Sequence, residues 1–147
     1  MLTLTSQHAL KALIHLVRNG DAAPISGPQI ARQMNIPARY LSAILSGLVR
    51  TGILDSAPGK HGGFRLVKAP RQVSLYDAVE AFEPGFTATE RCPFGNDECS
   101  DANPCCAHDQ WKKVIEAERK FLRRMTLHDV AAERGASARK KKRKAKS

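Results

Sequence analysis

The order of apolar and breaker residues between Ser26 and Val67 constrains this chain more than any other stretch. Ser26 and Gln29 form an S-x-x-Q capping box, with Pro28 in the first turn, where a missing N–H costs nothing. Ile30, Ala31 and Met34 then face inward, and the helix is expected to end near Asn35. Pro37 starts a second helix and Gly52 ends it. Leu41, Ile44, Leu45, Leu48 and Val49 make its apolar stripe. Its other face carries Ala38, Arg39, Ser42, Ala43, Ser46 and Arg50, which are small or basic and lack the bulk to block a close surface. Two strand-like segments follow, Ile53–Ala57 and Phe64–Val67, around a turn whose glycines supply positive φ and close approach.

Two short helices on a tight turn followed by a basic hairpin predict a winged helix-turn-helix. The expected fold class is mainly α with a small β-hairpin. Such a fold suits double-stranded DNA. The second helix of the pair enters the major groove, with Arg39, Ser42, Ala43 and Ser46 facing bases and Gln29 contacting phosphate or base. Arg50, Lys60, His61 and Arg65 reach phosphates or the minor groove. A hairpin that merely caps the core is the alternative. The charge distribution agrees with a polyanion partner. Residues 1–71 carry nine Lys/Arg against two Asp/Glu, a net +7, whereas residues 72–133 carry seven against twelve, a net −5.

The flanking segments extend this unit. Thr5 or Ser6 is expected to cap a first helix that runs to Asn19–Gly20, with Leu10, Leu13, Ile14 and Val17 on one face. Ser74 and Asp77 begin another short helix that Pro84–Gly85 stop. A long helix over about 109–125 places Trp111, Val114, Glu118, Phe121 and Met125 at 3-4-3-4 spacing, a seam either between two chains or within one. Thr126 caps a last turn. The organisation is thus a DNA-binding domain over 1–83, a cysteine-rich loop over 84–108, a dimerisation helix and terminal turn over 109–132, and a basic tail over 133–147, expected to be disordered.

All four cysteines lie in "CPFGNDECSDANPCCAH", spaced C-x6-C-x5-C-C-x-H. The N-terminus does not read as a signal peptide, so the expected compartment is a reducing cytoplasm, where structural disulfides rarely persist. Thiolates select zinc or iron–sulfur clusters. The stretch lacks the short paired knuckles usual at zinc sites, and longer spacings suit a cluster, which is wider than one ion. Adjacent Cys105 and Cys106 do not easily both point inward. The expected ligands are Cys92, Cys99 and Cys105, with His108 as the fourth. No run approaches about 18 apolar residues, so no membrane span is expected. There is no Gly-rich phosphate loop and no paired carboxylate, and His15, His61 and His128 are scattered, so the chain is not expected to be an enzyme.

Together, "TSQHALKAL", "IPARYLSAILSGLVRTGIL", "GKHGGFRL", "SLYDAVEAFE" and "CPFGNDECSDANPCCAHDQW" resemble the Rrf-two (Rrf2) family of bacterial winged-helix regulators, in its iron–sulfur and nitric-oxide-responsive branch. The resemblance covers about residues 1–131. It implies a homodimer built on the long C-terminal helix, a palindromic operator, and a three-cysteine cluster whose state alters DNA binding. His108 matches the histidine of the two-iron type, which favours a two-iron cluster over a four-iron one with an external ligand. Two departures stand out. The first cysteine interval is one residue longer than in several cluster-binding members. Gln7 occupies a position where some members carry a ligating carboxylate. The alternative regulator uses zinc or thiol oxidation instead of a cluster.

Overall fold

A computed structural model describes residues 1–19, 23–83, 93–94 and 99–132. Cys92, the Pro84–Gly85 stop and the 133–147 tail lie outside the described residues. The first helix, α1, spans Leu4–Asn19. Its cap is Thr3 rather than Thr5 or Ser6: Thr3 Oγ1 accepts the Ser6 N–H at 3.2 Å and Ser6 is buried. The shift has a non-local cause. Buried Glu83 accepts the Thr3 N–H at 2.7 Å and its hydroxyl at 3.0 Å, which starts the helix earlier than the local pattern suggests.

The helix pair forms as α2, Gly27–Met34, and α3, Ala38–Arg50. Half of the expected capping box is present, with Ser26 Oγ accepting the Gln29 N–H at 3.3 Å. Asn35 closes α2 in the left-handed region at φ 53°, a conformation that Asn tolerates better than most residues. Ile36 in the turn is buried, and its N–H donates to Ala31 O at 3.0 Å. That anchor sets α3 across α2. Pro37 precedes the helix as its cap residue.

The hairpin pairs β1, Leu54–Ala57, with β2, Gly63–Leu66, antiparallel, matching Leu54 to Leu66 and Asp55 to Arg65. β1 starts one residue later than the sequence reading and ends at Ala57 as expected, whereas β2 is shifted back by one residue. Val67 leaves the ladder to donate its N–H to Ile53 O at 3.0 Å, and Gly63 takes the first pairing position. Ile25 also bridges to Phe64, so the wing is bonded to the chain that enters α2.

A 3-10 turn, Pro70–Gln72, leads to α4, Leu75–Val79, which Ser74 and Asp77 cap reciprocally as the sequence predicts. It runs on as a 3-10 turn, Glu80–Phe82. The Phe82 ring lies against Gly47 of α3, where a Cβ would stand 2.8 Å from a ring atom. The long helix α5, His108–Arg124, starts one residue earlier than expected. After it the chain turns back. Leu75 N–H donates to Met125 O at 2.8 Å, Leu127 N–H donates to Val73 O at 3.0 Å, and Thr126 and Asp129 cap a helical segment over 127–132. One apolar cluster joins α1, α2, α3, β1 and α4 with Leu122 and Leu127. Full burial of each such leucine contributes about 1.5–3 kcal/mol. The core therefore holds α3 and the wing as one platform.

Candidate functional site

The apolar stripe of α3 decides its outer face. Leu41, Ile44, Leu45 and Leu48 are buried, so Arg39, Ser42, Ala43, Ser46 and Arg50 are left exposed together. Gln29, in the first turn of α2, is exposed beside the helix pair. Residues 22–54 contain no carboxylate, so nothing on the pair opposes a phosphate backbone. The wing carries Lys60, His61 and Arg65, all exposed. Its tip is tight: Gly59 has φ +100°, and a Cβ on Gly62 would clash with Ala57 O. Arg65 differs from the other cations. Its guanidinium donates to Asp55 Oδ2 from Nε at 3.3 Å and from Nη2 at 3.0 Å, across the strand pair. Sequence reasoning missed this partner because the register that puts Asp55 opposite Arg65 depends on the Gly63 pairing.

The cysteine stretch contributes a second polar centre at the start of α5. Cys99 Sγ lies 3.1 Å from His108 Nδ1, and the Cys105 N–H points to the same sulfur at 3.5 Å. Cys105 is half-buried and Cys106 exposed, as the adjacent pair requires. A turn closes over Ser100–Asn103 by reciprocal backbone bonds of 3.2 and 3.1 Å. It presents Asp101, which accepts from His108 Nε2 at 2.9 Å and from Lys112 Nζ at 2.8 Å on each oxygen. The Lys112 ammonium first, and then the imidazole, hold the Asp101 carboxyl below its usual range, and Asp101 raises Lys112 in return. Of the four expected ligands, Cys99 and His108 are in contact, Cys105 joins through its backbone, and Cys92 lies outside the described residues. Among the described residues no three His, Cys, Asp or Glu side chains converge as a metal-ion site. Asp101 and Lys112 were not expected at this centre. The signal available was the SDANP turn and the i, i+4 spacing of His108 and Lys112.

Helix α5 shows two apolar faces. Leu122 is buried in the core, while Val114 and Phe121 are 54% and 55% exposed. Trp111 is half-buried and meets Phe94 edge-on, with centroids 5.9 Å apart. Among the described residues, no helix is long and apolar enough to cross a membrane.

Comparison with known proteins agrees with this architecture. Residues 2–133 match the family described as "Rrf2: Iron-dependent Transcriptional regulator". A protein of Aquifex aeolicus assigned as an HTH-type transcriptional regulator is 30% identical over 86% of this chain and 88% of its own length. The HTH-type transcriptional regulator IscR of Escherichia coli is 26% identical over 88% of this chain and 78% of its own. Among solved structures, CymR, the global cysteine regulator of B. subtilis, superposes with a TM-score of 0.73 at 22% identity, covering 90% of this chain and 97% of CymR. T. potens IscR superposes with a TM-score of 0.70 at 20% identity, covering 90% and 87%. The matching family and these relatives are transcriptional regulators, not enzymes. The chain is a member of the Rrf2 family of transcriptional regulators.

Proposed function

We propose that the protein regulates transcription as a homodimer whose operator affinity is set by an iron–sulfur cluster on the cysteine loop. The observation that carries the reading is the contact of Cys99 Sγ with His108 Nδ1 at 3.1 Å, with a carboxylate on the far nitrogen of the ring. A metal-ligating imidazole usually donates its other N–H to such an acceptor. The donor set fits: thiolates of Cys92, Cys99 and Cys105 with the His108 imidazole match iron in its two-iron form, and the Cys105 N–H on sulfur is of the kind that tunes a cluster. A cluster bound there supplies a centre that reacts with oxidants and nitric oxide.

The chain's own residues do the rest. Two copies join through the exposed Val114 and Phe121 face of α5 and set two α3 helices in successive major grooves, roughly 34–36 Å apart, on a palindromic site. Arg39, Ser42, Ala43 and Ser46 face the bases. Gln29, Arg50, Lys60, His61 and Arg65 hold backbone or minor groove. His108 opens α5, so a cluster held by its ring would tie the start of the dimer helix to the cysteine loop, and its state would bear on the spacing of the two reading heads.

The same contact favours a second reading. A thiol beside an imidazole is also poised for oxidation, or for a lone zinc ion. Anaerobic purification with iron, sulfide and zinc counted per chain separates the two. Stoichiometric sulfide, lost in Cys99→Ala together with the response of operator affinity, is the expected result. Operator affinity that ignores Cys99→Ala in both loaded and metal-free protein overturns the coupling.

A further inference from the structure

We propose that Asp101, clamped by Lys112, is a positioning residue that fixes the His108 ring so that Nδ1 is the nitrogen offered to a metal. The inference rests on the reading of His108 as a ligand and adds what selects its ligating atom. A carboxylate only accepts hydrogen bonds, so the 2.9 Å contact requires a proton on Nε2. In the neutral ring this leaves the Nδ1 lone pair bare, and Nδ1 is the atom 3.1 Å from Cys99 Sγ. Flipping the ring would turn a carbon toward the sulfur and break the Asp101 bond. The carboxylate is itself held in place. Lys112 lies one helical turn beyond His108 on α5 and donates to both Asp101 oxygens at 2.8 Å. The Ser100–Asn103 turn supplies Asp101 from the loop side. Asp101 thus ties the cysteine loop to the dimer helix at the ring that belongs to both.

Asp101 is 73% exposed and Lys112 48%, so their pairing contributes little to folding. A loss of function on removing Asp101 therefore reports orientation, not collapse of the fold. Ring nitrogen NMR on the full-length, reduced, metal-free dimer reads the tautomer directly. Wild type is expected to hold His108 with Nε2 protonated, and Asp101→Ala to give a mixture of tautomers. Anaerobic titration with cobalt(II) alone, followed by its thiolate charge-transfer bands, is expected to show affinity falling about 10–100-fold in Asp101→Ala. Lys112→Met is expected to give a smaller loss, and Asp101→Asn, whose amide oxygen still accepts, a partial one. An unchanged tautomer and unchanged cobalt affinity in Asp101→Ala overturn the proposal, provided His108→Ala does weaken cobalt binding. If His108→Ala also binds cobalt as wild type does, the ligand reading itself falls and takes the proposal with it.

Discussion

Ile25 and Phe64 exchange both backbone hydrogen bonds, at 3.1 and 2.9 Å, and so fasten the wing to the residue that precedes the α2 cap. The neighbour that permits this is Gly63. Its φ is +145°, and a Cβ there would stand 2.5 Å from the Ile25 carbonyl. Gly63→Ala is expected to cost about 1–3 kcal/mol of stability through backbone strain. It should also free the wing from α2. Urea unfolding reads the first effect and operator binding by fluorescence anisotropy the second. A variant with wild-type stability would show that the bridge is not under this constraint.

The two faces of α3 should separate in mutation. Arg39→Ala is expected to leave unfolding within about 0.5 kcal/mol of wild type and to cost about 1–3 kcal/mol of operator binding. Leu48→Ala, in a fully buried position, is expected to cost about 2–5 kcal/mol of stability. Denaturant midpoints beside DNA titrations distinguish them, and equal effects of the two variants on folding would contradict the assignment of faces.

Asp55 holds Arg65 in the DNA-free protein and puts a negative charge beside the expected backbone contact. The pair is exposed, so Asp55→Asn is expected to change stability by no more than about 1 kcal/mol. Operator affinity should rise, and the salt dependence should steepen by about one phosphate contact. Affinity that falls instead would mean that Asp55 aims Arg65 productively.

Phe121 projects from α5 with over half its surface exposed, next to buried Leu122. Phe121→Glu is expected to yield folded monomers with weakened operator binding. Sedimentation equilibrium gives the mass and circular dichroism the fold. A dimeric variant would place the contact between copies elsewhere.

Asp129 accepts from the Thr126 amide and then its hydroxyl, and these bonds hold its carboxyl below the usual range. A depressed folded value means that its stabilising contribution is present above the unfolded carboxylate pKa, near about 4, and is lost as pH falls through the folded value. Asp129→Ala should therefore lower Tm at neutral pH and converge on wild type in acid. A gap that stays constant down to strongly acid pH would show that the cap acts through something other than the ionised carboxylate.

Much of the winged domain was legible in the sequence because its signals are local. Caps at Ser26, Ser74 and Thr126, the stripe from Leu41 to Val49, and the glycine turn each encode structure within a few residues. The cap of α1 was misplaced because a partner eighty residues away, Glu83, chooses Thr3. The seam on α5 was ambiguous for a related reason. Periodicity reveals an apolar face and does not say what covers it, and Leu122 turns out to pack inward while Val114 and Phe121 face outward.

The sequence by itself determined the exposed small and basic face of α3, the basic wing and the clustering of thiols, since residue type and spacing suffice for features that repeat along one element. Only the tertiary structure decided that Cys99 meets His108, that Asp101 and Lys112 stand behind the ring, that Asp55 neutralises Arg65, and that Ile25 holds the wing. Each of those contacts joins residues from different segments. The thiol, imidazole and Asp101 meet because the loop folds back on the start of α5. Asp55 meets Arg65 through the strand register that Gly63 permits, and Ile25 meets Phe64 through the approach of the hairpin to the α2 entry. Residue type and spacing alone specify none of these three paths.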